Sequence, residues 1–318
     1  MAYSLENRLV IGVSTRALFD LRIENQIFEE KGVEAYSAYQ RQHEDEVLLP
    51  GPGFSLIKAL LKLNQISGRE KRVEVILMSK NSPDISLRIF RSIEHYGLGI
   101  TRAFFLSGAP LAPYLTAFKT DLFLSACEED AQSAVDAGIA AGIICGESGY
   151  AAEEPPNETK QIRIAFDGDA VLFSDEAEQV FREKGLAAFE SSEREKAQTP
   201  LHEGPFARFL KILSDLQKEF DAADMPIRTA LVTARCAPAH ERVIRTLRAW
   251  NVRIDEAFFL GGITKREVLS AFGAQIFFDD QTVHTSLAAE VVPAARVPVS
   301  RGEKSNIYRL ERKMNEVS

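Results

Sequence analysis

Six side chains hold this sequence's capacity for chemistry: Asp167 and Asp169 in FDGDAVLFSD, Thr233 in LVTAR, Lys265 in GGITKRE, and Asp279 and Asp280 in IFFDDQ. Three of the four stretches are apolar runs that read as strands and stop at a polar group. Two carboxylates two residues apart repel one another unless a cation or a proton compensates. Ending an apolar strand in Asp-Asp is costly for the same reason. The residue types therefore ask for one place where four acids, a hydroxyl and an amine meet a cation.

What must position them is an alternation of strands and helices, and the chain writes it twice. IFEEKGVEAY (27–36) and VFREKGLAAF (180–189) share five identical positions. An offset of 153 superposes them and also lays Gly51-Pro52 on Gly204-Pro205. An offset of 154 lays RSIEHYGLGITRAFFLSG (91–108) on RTLRAWNVRIDEAFFLGG (245–262), and YLTAFKTDLFLSA on VLSAFGAQIFFDD. Collinear matches holding one register point to an internal duplication.

Each copy is expected to open on a strand (9–14, 162–167) and run through a long helical and polar excursion. A second strand follows (73–79, 228–233), then a helix with apolar residues at three-to-four spacing. Further strands are expected at 103–106 and 257–260, at 122–125 and 276–279, and at 142–145 and 296–299. We therefore expect an α/β fold of two tandem Rossmann-like lobes, with mainly parallel sheets flanked by helices. The lobes fall at 1–150 and 158–318, with a polar linker at 146–161. Ligands of such sheets sit at the strands' carboxyl ends, where the six side chains would converge.

In this register Ser14 falls on Asp167, Arg16 on Asp169, Leu111 on Lys265, Ser125 on Asp279 and Ala126 on Asp280. Only the hydroxyl survives, as Ser79 for Thr233. The first lobe thus lacks the acids that would hold a cation. Ser14, Arg16 and Ser79 read either as parts of a structural lobe or as an anion site for an effector or part of the substrate.

The succession Asp167-Gly-Asp169-Ala-Val171, Thr233, Lys265 and Asp279-Asp280 resembles the four motifs of the haloacid dehalogenase superfamily of phosphotransferases. Within it, FDGDAVLFSDE, LVTAR and IFFDDQ are similar to the cytosolic 5′-nucleotidase I family, and VSTRALFD and IFEEKGVEAY carry the similarity into the first half. The resemblance implies a HAD-like fold with a small helical cap at about 175–222. It also implies Mg2+-dependent hydrolysis of nucleoside 5′-monophosphates. Asp167 would be the nucleophile and Asp169 the general acid and base. Asp167, Asp279 and the backbone carbonyl of Asp169 would hold Mg2+, with Asp280 orienting the site from behind. Thr233 and Lys265 would bind the phosphoryl oxygens. Arg235 would either join them on the phosphate or pair with a surface acid, and His284, four residues past Asp280, reads either as approaching the site or as a helix-facing residue. The residues themselves leave open another small phosphate ester, such as a sugar phosphate, and a nucleotide-binding regulator with incidental turnover.

Composition sets the remaining limits. The 318 residues are 45% hydrophobic and 26% charged, with a formal net charge of −8. That charge disfavours a nucleic-acid duplex as partner, though not a small phosphorylated ligand. No apolar run approaches the roughly 20 residues that span a bilayer, and MAYSLENRLVIGV lacks the regions of a signal peptide. Three cysteines without CxxC spacing read as reduced thiols. We expect a cytoplasmic protein with a small nucleotide substrate and no membrane partner. Homo-oligomerisation is left open.

Overall fold

Ten apolar segments of the chain form strands: β1 (Leu9–Ser14), β2 (Val73–Ser79), β3 (Arg102–Phe105), β4 (Leu122–Ser125), β5 (Ala140–Cys145), β6 (Ile162–Phe166), β7 (Ile227–Thr233), β8 (Glu256–Phe259), β9 (Ile276–Asp279) and β10 (Ala294–Arg296). The structure, a computed structural model, describes residues 4–65, 71–145, 161–221 and 224–300. The linker expected at 146–161 lies outside the described residues, apart from Gln161.

All ten strands join one sheet in the order β3-β2-β1-β4-β5-β10-β9-β6-β7-β8. Each half supplies its third, second, first, fourth and fifth strands in turn, every pair parallel. The halves meet at β5 and β10, the one antiparallel ladder among the described strands, with Ala294 opposite Cys145 and Arg296 opposite Ile143. A sheet in each lobe was the expectation; the strands instead build a single sheet. The reason lies in the fifth strands, each of which would otherwise present an open edge of unpaired backbone groups. Small residues let the two edges close, for a Cβ on Gly142 would come within 2.9 Å of the Ala295 side chain.

On one face a single core runs through both halves, from Ile11, Leu77 and Leu124 to Ile164, Phe166 and Phe278. Helices α3 (Phe54–Lys62) and α8 (Ala207–Lys218) cover it, α8 burying Phe209, Leu210 and Leu213. The other face carries two separate cores, around Phe123 in the first half and Phe277 in the second. Much of the segment expected as a cap, about 175–222, is therefore a covering layer of the sheet. Only α7 (Glu176–Glu195) in that segment is mostly solvent-facing, burying Ala177 and Glu193.

The halves agree in local detail. Helix α2 (Arg22–Gln42) and helix α7 each break at a glycine, Gly32 and Gly185, both with φ of 78° and ψ close to 180°. That backbone region is in effect open to glycine alone. Gly51 and Gly204 both lie where a Cβ would strike backbone atoms, 2.8 and 2.4 Å away. Arg88 and Arg242, both buried, each donate Nε to a backbone carbonyl, of Glu46 and Thr199 respectively. Ser92 and Thr246 each accept a backbone N–H at 2.9 Å, from Leu48 and Leu201.

Because strands are parallel within a half and antiparallel across the junction, the two sets of carboxyl ends open on opposite rims of the sheet. This decides where each half's ligand-facing residues lie.

Candidate active site

The second half gathers its polar groups where β6, β7 and β9 end. The N–H of Asp167 donates to the carbonyl of Phe278 at 2.8 Å, which continues the β6–β9 ladder one residue past the strand. The chain then turns sharply over Gly168–Leu172, with Ala170 at φ 60°. Gly168 fits this turn because a Cβ there would press on the Thr233 side chain at 3.2 Å. Asp279 is the last residue of β9, Thr233 the last of β7, and Lys265 stands immediately before helix α10 (Arg266–Phe272).

Lys265 Nζ lies 2.8 Å from Asp167 Oδ1 and 2.6 Å from Asp279 Oδ2, all three side chains being buried. Carboxylate oxygens of Asp167, Asp279 and Asp280 lie within 4.8 Å of one another. The Asp279 Oδ1 also accepts the backbone N–H of Gln281 at 2.8 Å, and His284 Nδ1 lies 3.2 Å from its other oxygen. His284, at the start of helix α11 (Thr282–Ala288), therefore faces the cluster and not merely its helix.

One lysine cannot satisfy two buried acids and a half-buried third, and the electrostatics record the deficit. Burial pushes the Asp167 carboxyl up to about 7, aided by neighbouring Asp279 and resisted by Lys265. Burial, with Asp167 and Asp279 alongside, pushes Asp280 up to about 8. Asp279 is also driven upward by burial, but His284 and Lys265 outweigh this and hold it below its ordinary value. Burial would lower Lys265, yet Asp167 and Asp279 raise it, so the ammonium is kept. Asp280 Oδ1 is buried without a hydrogen-bond partner. An orphaned carboxylate oxygen beside two more acids fits the donor set of a hard divalent cation. Asp280, expected behind the ion, thus stands among the candidate ligands.

Asp169 lies apart from that cluster. Arg235 grips both its oxygens, and the guanidinium also binds Glu193 of α7. Glu193 Oε1 in turn accepts from Arg242 of helix α9 (His240–Ala249) at 2.7 Å. Arg235, Glu193 and Arg242 are almost fully buried. Burial would lower the Arg235 guanidinium, and its two carboxylates raise it instead. Arg235 thus pairs with acids inside the fold, where a surface pair was one of the two expectations. Thr233 is buried, and its hydroxyl oxygen accepts the N–H of Arg235 at 3.2 Å.

Glu193 and Arg242 escaped the sequence reading because ESSEREKAQ has the look of a solvated helix. The repeat held a signal all the same, since the 154 offset lays Arg242 on Arg88, an arginine kept in both halves. Ser14, Ser79 and Ser125 lie at the equivalent strand ends of the first half, on the opposite rim.

Fold and site define an α/β protein whose strand ends hold a carboxylate–lysine centre of the kind that takes a divalent cation. The chain belongs to the 5′-nucleotidase family, whose model matches residues 1–304. It is 38% identical over 289 residues to cytosolic 5′-nucleotidase 1B of Homo sapiens, covering 88% of this chain and 47% of the human protein. The chain thus spans about half the length of that curated relative. Among solved structures, histidinol dehydrogenase from Elizabethkingia anophelis aligns at 11% identity and a TM-score of 0.21, over 75% of this chain and 48% of that one. An α,α-trehalose-phosphate synthase from Burkholderia vietnamiensis aligns at 11% identity and a TM-score of 0.18, over 85% and 77%. At those scores neither likeness carries an argument.

Proposed function

We propose that this chain hydrolyses nucleoside 5′-monophosphates to nucleoside and phosphate in a Mg2+-dependent reaction, through an aspartyl-phosphate on Asp167. The observation that carries the proposal is the cluster of Asp167, Asp279 and Asp280 around buried Lys265, in a member of the 5′-nucleotidase family. The name of the human relative, a cytosolic 5′-nucleotidase, supports the same substrate class and a cytosolic setting.

Asp167, Asp279 and Asp280 would hold the ion, with the backbone carbonyl of Asp169 contributing as the family resemblance implies. When bound, Mg2+ supplies positive charge between the carboxylates and the phosphoryl oxygens. A carboxylate oxygen of Asp167 attacks phosphorus as the bond to the ribose oxygen breaks. Lys265 places its ammonium against the attacking group and the phosphoryl charge. The Thr233 oxygen already accepts an N–H, which leaves its own O–H to donate to a phosphoryl oxygen. Asp169 gives a proton to the leaving oxygen and later takes one from the attacking water. Both its oxygens accept from Arg235, one hydrogen bond each, so the proton is carried on a lone pair that the fork leaves free.

We also attribute the two halves to one duplicated HAD-like lobe, of which the second kept the acids. Shared strand order, the paired glycine breaks and the paired Arg88 and Arg242 contacts support this. The test of function is phosphate release across purine and pyrimidine monophosphates and sugar phosphates, with Mg2+ and with EDTA. Preference for sugar phosphates would sink the nucleotide assignment, and release undiminished in EDTA would sink the metal dependence.

A further inference from the structure

The strand ends of the first half, on the rim away from the carboxylate cluster, border a cavity of about 470 Å3. Small-molecule sites commonly occupy about 300–1,000 Å3. The cavity includes residues at the ends of β1 and β4, the point where strand order reverses within that half and where open α/β sheets take ligands.

Three hydroxyls line its floor: Ser14 ending β1, Ser79 ending β2 and Ser125 ending β4. Two of them keep the backbone contacts of their counterparts in the second half. Ser79 Oγ accepts from the N–H of Asn81 at 3.1 Å, as Thr233 accepts from Arg235 at 3.2 Å. Ser125 Oγ accepts from Cys127 at 3.0 Å, as Asp279 accepts from Gln281 at 2.8 Å. Ser14 Oγ accepts from Ala17 and Ala126 at 3.2 and 3.3 Å. The three oxygens are thus occupied as acceptors, while their hydrogens have no acceptor among the described residues. Ser79 is 3% exposed and turns what surface it has to the cavity, whereas Ser125, at 0%, is sealed beneath it.

Charge points the same way. Arg16, at the position of Asp169, lines the cavity and has no carboxylate partner among the described residues. The acids nearby are already paired, Glu24 with Arg88 at 2.6 Å and Asp130 with Lys80 at 2.5 Å. One guanidinium in surplus and the O–H donors of Ser14 and Ser79 suit a phosphate dianion. Above them the walls are apolar, with Met78, Leu111, Phe28 and Tyr36, and the last two rings meet edge to face at 6.0 Å. Phe28 stays 46% exposed, leaving an aromatic surface for a planar ring.

We propose that this cavity is a second, non-catalytic site that binds a phosphate monoester of nucleoside-monophosphate size without a metal ion. The phosphate sits on Ser14, Ser79 and Arg16, and the ring-bearing body lies against Phe28 and Tyr36. Hydroxyls and a cation bind the anion directly where the second half needs an ion to bridge acids and phosphate. With no carboxylate to attack phosphorus, the ligand departs unchanged.

Isothermal titration calorimetry of the full chain in EDTA tests this, with adenosine 5′-monophosphate, adenosine and inorganic phosphate as probes. Removing metal ions disables the Asp167 centre and leaves the proposed site intact. The expected result is one site for the monophosphate, with adenosine and phosphate each weaker. Arg16→Ala should weaken the monophosphate by about ten-fold or more, the size of a lost charge-assisted hydrogen bond. Leu111→Trp, which fills the cavity, should abolish binding, and Asp167→Asn should leave it unaltered. Thermal melting of each variant separates lost binding from lost fold. The proposal is overturned by no binding in EDTA, by adenosine binding as tightly as its monophosphate, by equal affinity in the folded Arg16→Ala protein, or by loss in Asp167→Asn. Phosphate release plays no part in this readout, so failure of the hydrolytic assignment and failure of this one remain distinct.

Discussion

Arg235 holds Asp169 by both carboxylate oxygens, through Nε at 2.8 Å and a terminal nitrogen at 2.7 Å. The remaining terminal nitrogen binds Glu193, which lies in the part of α7 beyond its break at Gly185, and Glu193 binds Arg242. Four charges in a row therefore tie a solvent-facing helix to the residue proposed as acid and base. Any change in the seat of α7 reaches Asp169 through them.

Arg235→Lys keeps the charge and loses the planar fork. Asp169 then loses the fork that fixes its orientation for the two proton transfers. We expect kcat for phosphate release to fall about 100-fold, the scale of a misplaced reacting group, with KM little altered. Initial rates over a range of nucleoside monophosphate check this. An unchanged kcat would remove Arg235 from the positioning role.

Glu193→Ala leaves two arginines buried without their shared anion. Breaking a buried pair from one side costs about 3–5 kcal/mol. Urea denaturation should report a loss of that size, and Glu193→Gln, which can still accept from both arginines, should lose less.

Metal affinity should rise with pH. Asp280, near 8, and Asp167, near 7, carry protons that a cation must displace. Mg2+ should therefore bind more weakly at about pH 6 than at about pH 8.5, read by calorimetry. The metal-free protein should show the opposite trend in stability. Acids whose folded values are raised above the unfolded ones make the folded state bind more protons, so stability falls as pH climbs from about 4 to 8. The rise in melting temperature caused by Mg2+ should consequently be larger at the upper end, and an equal rise at both would contradict the assignment of these acids.

Asp167→Asn should abolish turnover, and acid quench of the native enzyme with phosphate-labelled substrate should trap label on protein that Asp167→Asn does not hold. Thr233→Ala removes one preorganised donor and should lower kcat by about 100- to 1,000-fold. Label retained by the Asp167→Asn protein would move the nucleophile elsewhere.

The strand ends could be read in advance because acids closing apolar strands are conspicuous: Asp167 after IRIAF and Asp279-Asp280 after IFF. Their meeting with Lys265 follows from parallel strands and the helix before which Lys265 stands. The Glu193 network was not legible, since its partners are far apart in sequence and burial of a charge leaves no local pattern. The joining of two sheets was hidden for a similar reason. β10 pairs through only three residues, and nothing in Ala-Ala-Arg announces an antiparallel neighbour. α8 lies between the first two strands of its half, where the family resemblance implies a cap, whereas its Phe209, Leu210 and Leu213 drive it onto the sheet.

The antiparallel seam between β5 and β10 has the geometry of an isologous dimer interface, with like strands of two like bodies paired about an approximate twofold axis. Held in one chain, such a seam cannot dissociate on dilution, and the two bodies it joins need not be alike. The half with the serines shelters the edge strand and shares the core of the half with the aspartates. On the duplication proposed above, covalent linkage would release the pair from the symmetry that forces every substitution in a dimer to occur twice, and one member could then take a different ligand on its own rim.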